Sequence, residues 1–94
     1  MDIYEARQEI DRIDREISTL FCQRMQCSAA IGSYKLAQGL PIHVPEREEA
    51  IIKTLCQNTE PALKEYIEQL YRHIFSLSRD YQHKLTQEDD KDAG

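Results

Sequence analysis

Apolar side chains recur every three or four residues along the first third of the chain. They are Ile3, Ala6, Ile10, Ile13, Ile17 and Leu20 and, after an interruption at Arg24, Cys27, Ile31 and Tyr34. This spacing predicts one amphipathic helix from Ile3 to about Gln38 that packs against other helices along an apolar seam. At ~1.5 Å per residue the helix would be roughly 54 Å long. A chain of 94 residues has too little material to cover such a rod, so we expect a second copy of the chain to cover it.

Capping residues and prolines define the ends of the first two helices. Asp2 is suited to cap the first helix, and Gly39 can end it in the left-handed conformation. Pro45 fits the first residue of a second helix, in which three glutamates follow at favourable positions near the N-terminus. This second helix is predicted to end near Gln57.

A third helix follows a short connection. Thr59 is predicted to cap it, with Pro61 in its first turn and its end near Leu85. Its apolar heptad positions are Leu63, Ile67, Leu70, Ile74, Leu77 and Tyr81. Residues 86–94 are polar and acidic, and we expect them to be a disordered tail. The sequence therefore predicts an all-α domain over residues 1–85, made of three helices with a very long first helix.

Composition narrows the class of protein. Apolar residues make up 40% of the chain and charged residues 31%, as in a soluble globular protein. Nine of the first twenty residues are charged, which argues against a signal peptide or a membrane span and favours a cytoplasmic protein. The net charge of −5 argues against a nucleic-acid partner. Three cysteines without a CxxC pair read as reduced thiols rather than as disulfides or metal ligands.

Arg24 is the first candidate for chemistry, because a guanidinium at a seam position must be paired or must face a polar cavity. Its guanidinium could pair with a glutamate of a neighbouring helix, extend out to solvent, or bind an anion. Lys35 lies eleven residues later, within roughly 20° of the direction of Arg24 on the helix surface. Ser28 and Gly32 lie between them and leave space above the backbone. Two cations over a floor of small residues would suit a compact dianion, although Lys35 alone is also typical of a helix C-terminus.

Other polar positions are ambiguous when taken singly. Ser78 and Gln82 are spaced i and i+4 and share one face of the third helix. Arg47 and Glu48 lie in the first turn of the second helix, where charges are usually solvated. Arg7 is ~25 Å from Arg24 along the first helix, so the two can share a site only across an antiparallel dimer.

Together these positions resemble the all-helical chorismate mutase family. The pattern is Arg7-x-x-Ile10-x-x-Ile13-Asp14, Arg24, Gly32-x-x-Lys35, a short loop with Pro41, Arg47-Glu48 and Ser78-x-x-x-Gln82. The resemblance covers about residues 3 to 85. It implies an intertwined homodimer of three-helix chains, in which the long first helices pair and each active site takes one arginine from the partner.

The resemblance also implies a role for each cation. Arg7 matches the arginine supplied by the partner, and Arg24 matches the arginine that holds one carboxylate of chorismate together with Ser78. Lys35 matches the lysine that reaches the other carboxylate and the ether oxygen. Gln82 matches the second donor to that oxygen.

The remaining positions complete the implied substrate site. Glu48 matches the glutamate that accepts a hydrogen bond from the ring hydroxyl, and Arg47 matches the arginine beside it. Val44 replaces an aspartate of well-known members, at a position thought to act through its backbone N–H. The implied reaction, chorismate to prephenate, is unimolecular and needs neither a metal nor a cofactor. The protein must hold the substrate in its reactive conformation and place hydrogen-bond donors or positive charge at the breaking C–O bond.

Two alternative functions are compatible with the sequence. One is a lyase on the same fold that removes pyruvate from isochorismate, a branch that the stretch Ile42-His43-Val44-Pro45-Glu46-Arg47 resembles. Glu48 favours the mutase, because it matches the residue that contacts the 4-hydroxyl of chorismate. The other alternative is a non-catalytic helical dimerisation module, in which the cations only pair with carboxylates.

Overall fold

Within the residues that the structure describes, the fold consists of three α-helices and one short 3₁₀ turn. A computed structural model describes the backbone of residues 1–93 and the side chains of residues 1–87. The elements are α1 (Ile3–Gln38), α2 (Pro45–Gln57), the 3₁₀ turn (Pro61–Leu63) and α3 (Lys64–Ala93). The all-α class and the long first helix predicted from the sequence are confirmed.

The ends of α1 follow from local hydrogen bonding. The Asp2 carboxylate accepts a hydrogen bond from the backbone N–H of Glu5 at 2.8 Å, which satisfies one of the free donors of the first turn. Gly39 has φ +67°, and its N–H closes the last turn on the carbonyl oxygens of Leu36 and Lys35. Both caps predicted from the sequence are therefore confirmed, because each depends only on residues within one turn.

The connection between α2 and α3 differs from the prediction. Pro45 begins α2 and Gln57 ends it, as predicted. Thr59, however, does not cap α3, because its hydroxyl donates to the Leu55 carbonyl oxygen at 2.7 Å at the end of α2. Pro61 opens the 3₁₀ turn instead, and α3 begins only at Lys64. A threonine hydroxyl can bond backward to a carbonyl as readily as forward to an N–H, and here the backward bond forms.

The helix α3 extends to Ala93, eight residues beyond its predicted end at Leu85. No glycine or proline lies between those two positions, so nothing local terminates the helix. The side chains from residue 88 onward lie outside the described residues. The disordered tail over residues 86–94 stays a prediction.

The helix α3 packs against both α1 and α2. The buried residues of this small interior are Ser28, Gly32, Ile52, Phe75, Ser78 and Gln82. The α1 seam, by contrast, is exposed within one chain, with Leu20 61% and Ile17 58% accessible. No helix among the described residues is long and apolar enough to cross a membrane. The described part of the chain is therefore organised around a largely polar interior, while its most regular apolar stripe is left exposed by those residues.

Gly32 lies where α1 approaches α3 closely. A Cβ at this position would lie 3.0 Å from Cγ and 3.2 Å from Cβ of Gln82. Gly32→Ala gains about 1 kcal/mol of helix propensity but loses about 1–3 kcal/mol by overpacking. We expect a net loss of about 1 kcal/mol in the free energy of unfolding, measured by urea denaturation. Ala30→Gly on the exposed side of α1 is the control for propensity, and a Gly32→Ala variant more stable than wild type would contradict the expectation.

A surface ion pair joins α2 to α3. Arg72 Nη1 lies 2.9 Å from Glu49 Oε1 and Arg72 Nη2 lies 2.8 Å from Glu68 Oε1. Hydrogen bonds from Arg72, reinforced by its charge, hold the pKa of the Glu49 carboxyl below its usual value. Because the folded pKa is lowered, the stabilisation is present above the unfolded pKa and is lost as the pH falls through the folded pKa.

Arg72→Met is therefore expected to raise the pKa of Glu49 toward that of a free glutamate, which carboxyl ¹³C NMR can follow. The variant should be less stable than wild type at pH 6, by a small amount because both side chains are exposed. The difference should vanish once Glu49 is protonated in both proteins. An unchanged titration of Glu49 would show that the pair does not persist in solution.

Candidate active site

A cavity of about 460 Å³ opens where the three helices meet. Its lining includes residues of α1, of the loop before α2, of the first turns of α2 and of the middle of α3. Seven of the eight residues predicted from the sequence lie there, namely Arg24, Lys35, Val44, Arg47, Glu48, Ser78 and Gln82. These positions are far apart in sequence, and the packing of α3 on α1 and α2 brings them together.

Arg24 is held from two sides. Its Nη1 donates to Ser78 Oγ at 2.9 Å, and its guanidinium carbon lies 5.6 Å from the centroid of the Phe75 ring. A cation above an aromatic face is attracted to the ring, which also limits its motion. Of the alternatives open from the sequence, the described contacts therefore favour an Arg24 that lines the cavity over one that pairs with a glutamate. The remaining N–H groups of its planar fork can receive an anion.

Lys35 approaches the cavity from the C-terminal end of α1. Its Nζ donates to the carbonyl oxygen of Ile42 at 2.9 Å, in the loop that leads to α2. An ammonium group has three N–H donors, so this bond fixes its position and leaves donors for a ligand. Lys35 is half-buried rather than fully solvated, which distinguishes it from a lysine that only complements a helix C-terminus.

Gln82 is only 6% exposed and lies against α1. Its Nε2 donates to the backbone oxygen of Ser28 at 2.8 Å and is 3.4 Å from Ser28 Oγ. Because a backbone carbonyl can only accept, this contact fixes which end of the amide faces Ser28. The second N–H has no short bond to Ser28 and can donate to an oxygen in the cavity.

The start of α2 brings a carboxylate to the cavity. The N–H groups of Arg47 and Glu48 bond the Val44 carbonyl oxygen at 3.1 and 3.3 Å, which sets the first turn of α2. Glu48 Oε2 pairs with Arg79 Nη1 of α3, and Glu48 Oε1 lies 3.6 Å from His43 Nε2. Glu48 is therefore engaged from α3 and from the loop, whereas Arg47 lies on the exposed side of the lining.

Arg7 is the one predicted site residue that does not line this cavity. It lies in the first turns of α1, seventeen positions before Arg24, and it is exposed within one chain. This location agrees with the sequence argument that the two arginines cannot meet in a single chain. The predicted contribution of Arg7 from a partner stays a prediction.

Three features of the cavity were missed by the sequence analysis. Phe75 lies under Arg24, Arg79 bonds Glu48, and the Ile42 backbone oxygen accepts from Lys35. Phe75, Ser78, Arg79 and Gln82 share one face of α3 at spacings of three and four, a signal that the helical period does contain. Which residues of α1 and α2 these four side chains contact cannot be inferred from local sequence.

The chemistry available in the cavity is anion binding and hydrogen-bond donation. The charged groups of the lining are four cations, Arg24, Lys35, Arg47 and Arg79, and one carboxylate, Glu48. Within residues 1–87, every buried side-chain nitrogen and oxygen has a hydrogen-bond partner. Arg24, Lys35 and Gln82 are each held by a hydrogen bond before a ligand arrives, which lowers the entropy cost of binding. Such a cavity suits a compact dianion with additional oxygen acceptors.

This chain is similar to known proteins in both sequence and fold. The sequence matches the family model described as chorismate mutase type II over residues 6–83. It is similar to a solved structure of chorismate mutase (form II) from Thermus thermophilus, with a TM-score of 0.82 and 34% identity. That similarity covers 86% of this chain and 93% of the Thermus chain.

Two curated relatives are longer proteins. A bifunctional chorismate mutase/prephenate dehydratase of Aquifex aeolicus is 35% identical in an alignment of 89 positions, which covers 89% of this chain and 25% of the relative. A T-protein of Haemophilus influenzae is 40% identical over 58 residues, which is 62% of this chain and 15% of the relative. This chain thus spans a quarter or less of the length of these two curated relatives.

Proposed function

Because this chain belongs to the chorismate mutase type II family, we propose that it rearranges chorismate to prephenate. The observation that carries the proposal is the convergence of Arg24, Lys35 and Gln82 on one cavity although they lie on two different helices. This convergence of cations and an amide also argues against a module that only dimerises, since such a module would need no shared cavity.

The reaction requires no covalent bond between the protein and the substrate. In chorismate, one C–O bond breaks as one C–C bond forms within the same molecule, and no proton is transferred. The two carboxylates must be held so that the reacting ends meet, and the ether oxygen gains negative charge as its bond breaks. Preorganised donors at that oxygen stabilise the transition state more than the ground state, and they therefore lower the barrier.

The described geometry suggests how the cavity meets these needs. The free N–H groups of Arg24, held by Ser78 and Phe75, would clamp one carboxylate. Lys35 and the second N–H of Gln82 would donate to the ether oxygen. The hydrogen bond from Lys35 to the Ile42 oxygen holds its charge at the cavity.

The remaining lining groups would orient the ring. Glu48 Oε1 is 3.6 Å from His43, beyond a short hydrogen bond, and can accept from the ring hydroxyl. Arg47 adds positive charge at the cavity entrance, and Val44 keeps a backbone N–H at the start of α2. Substrate specificity would then come from the spacing of two carboxylates and one hydroxyl, each met by a fixed group.

We further propose that the functional unit is a homodimer in which Arg7 of one chain completes the site of the other. The single chain exposes 7420 Å², where a compact protein of 11.0 kDa is expected to expose about 5600 Å². Its radius of gyration is 16.8 Å, against about 12 Å for a compact domain of this length. The excess area is sufficient for a large obligate interface along the α1 seam.

Sedimentation at micromolar concentration tests the dimer directly. The expected result is a species of twice the chain mass with no folded monomer, because separation would expose the whole α1 seam. Leu20→Glu places a charge on that seam and should weaken the dimer. Thr54→Glu introduces the same charge at an exposed position of α2 and should leave the dimer intact. A compact folded monomer of the wild-type chain would overturn the proposal.

The activity is tested with two substrates offered separately. The purified chain should convert chorismate to prephenate, identified by chromatography and mass, and should release no pyruvate from isochorismate. Pyruvate release without prephenate formation would assign the chain to the lyase reaction. Conversion of neither substrate by a folded dimer would contradict catalysis altogether.

A further inference from the structure

The cavity contains an ion pair that the reaction itself does not call for. Arg79 Nη1 of α3 bonds Glu48 Oε2 of α2, with the two side chains only 28% and 19% exposed. The other oxygen, Oε1, lies 3.6 Å from His43 Nε2. Arg79 is thus the short-range partner of one carboxylate oxygen, while the other oxygen is left weakly engaged.

A second arginine on α3 makes the corresponding bridge outside the cavity. Arg72 pairs with Glu49, also joining α3 to α2, but its side chain is 48% exposed and that of Glu49 is 60% exposed. Both bridges join the same two helices through adjacent glutamates. The bridge made by Arg79 is the less exposed of the two and lines the cavity. Arg72 can therefore serve as the control for Arg79.

We propose that Arg79 is a positioning residue that holds Glu48 so that Oε1 faces the substrate's ring hydroxyl. The inference rests on the proposed function and adds one residue to it. A glutamate has three rotatable side-chain torsions, and fixing Oε2 on α3 removes most of that freedom before the substrate binds. The Glu48 carboxylate is then already oriented when a substrate molecule binds.

Charge gives a second reason for the pairing. A dianionic substrate would be repelled by a half-buried carboxylate at close range. With Arg79 bonded to Glu48, the negative charge beside the ring is balanced, and the carboxylate can still accept a hydrogen bond. Arg24, Lys35 and Arg47 are left to attract the two substrate carboxylates.

Steady-state kinetics separate positioning from direct substrate binding. The ring hydroxyl is present in both the ground state and the transition state. Losing the hydrogen bond between Glu48 and this hydroxyl should therefore act mainly on KM. Arg79→Met is expected to raise KM by roughly 10-fold or more, as for the loss of one charge-assisted hydrogen bond. Arg79→Lys should restore KM to within about 3-fold of wild type, because an ammonium can still pair with Oε2.

A double-mutant cycle identifies the residue through which Arg79 acts. In a Glu48→Gln background, Arg79→Met should change kcat/KM by less than about 2-fold. Multiplicative losses would overturn the proposal, because they would show that Arg79 binds the substrate itself. Arg72→Met should leave KM unchanged, and an equal loss in Arg72→Met and Arg79→Met would mean that either bridge only holds α2 to α3.

A measurement without substrate separates this inference from the proposed function. The ¹³C resonance of the Glu48 carboxyl, assigned by its absence in Glu48→Gln, should move in Arg79→Met and stay in place in Arg72→Met. A chain that does not convert chorismate but shows this change would refute the proposed function and retain the positioning of Glu48. A Glu48 resonance unaffected by Arg79→Met would overturn the positioning role, whatever the activity.

Discussion

Arg7→Ala and Arg24→Ala are each expected to lower kcat/KM for chorismate by at least about 100-fold, as for the removal of one electrostatic contact to a reacting anion. Arg24 is fixed by Ser78 and by the face of Phe75, so its truncation removes a preorganised fork. Arg7 lies outside the cavity of its own chain. The loss expected for Arg7→Ala therefore follows from the proposal that Arg7 completes the site of a partner chain.

Mixing the two variants tests that geometry. In a mixed dimer with a two-fold axis, one site collects both substitutions and the other collects an intact Arg7 and an intact Arg24. With equal amounts and complete exchange, about half of the dimers are mixed and activity should return to roughly a quarter of wild type. Each variant alone should stay inactive at the same concentration.

The control for this experiment is Arg12→Ala. Arg12 pairs only with Glu9 and Glu16 of its own helix in the described contacts, and such exposed pairs contribute little. Its variant should keep nearly full activity both alone and in mixtures. If mass spectrometry verifies subunit exchange and no activity returns, Arg7 does not act in the partner's site.

The second large effect is expected for Gln82→Glu. Wild-type activity should be roughly flat from about pH 6 to 8, because lysine and arginine stay charged and an amide does not titrate. A carboxyl at position 82 can donate a hydrogen bond only while it is protonated. Since Gln82 is 6% exposed, burial should raise the pKa of the introduced carboxyl above that of a free glutamate.

Activity of Gln82→Glu should therefore fall by about 10-fold per pH unit above that raised pKa and recover in acid. The pH profile of kcat is the direct measurement, with wild type as the flat reference. A profile as flat as that of wild type would show that Gln82 does not donate to the ether oxygen.

The same substitution should couple stability to pH. The ionised carboxyl would lie 2.8 Å from the Ser28 carbonyl oxygen if it took the place of Nε2. Because the folded pKa is raised, the native state binds more protons than the unfolded state, and stability falls as the pH rises between the two pKa values. Urea unfolding at pH 5 and pH 8 separates this effect from the loss of catalysis.

The sequence by itself determined the elements whose causes are local. Asp2 and Gly39 end α1 through bonds within one turn, and Pro45 sets the start of α2. The exposed α1 seam was also predictable as a surface in need of cover, because a 3-4 repeat over 36 residues exceeds what one small chain can bury. Most site residues could be named because their spacing matches a family pattern.

The tertiary structure decided which of these residues touch. Ser28 and Gly32, not the apolar seam, form the α1 side of the interior, since Gln82 packs against them. The Thr59 hydroxyl donates to the Leu55 carbonyl oxygen. Arg79 pairs with Glu48, whereas Arg72 pairs with Glu49. Helical period fixes the face on which a side chain lies, but not the neighbour it meets. That choice depends on how α3 packs between α1 and α2, a long-range outcome that no local stretch of sequence contains.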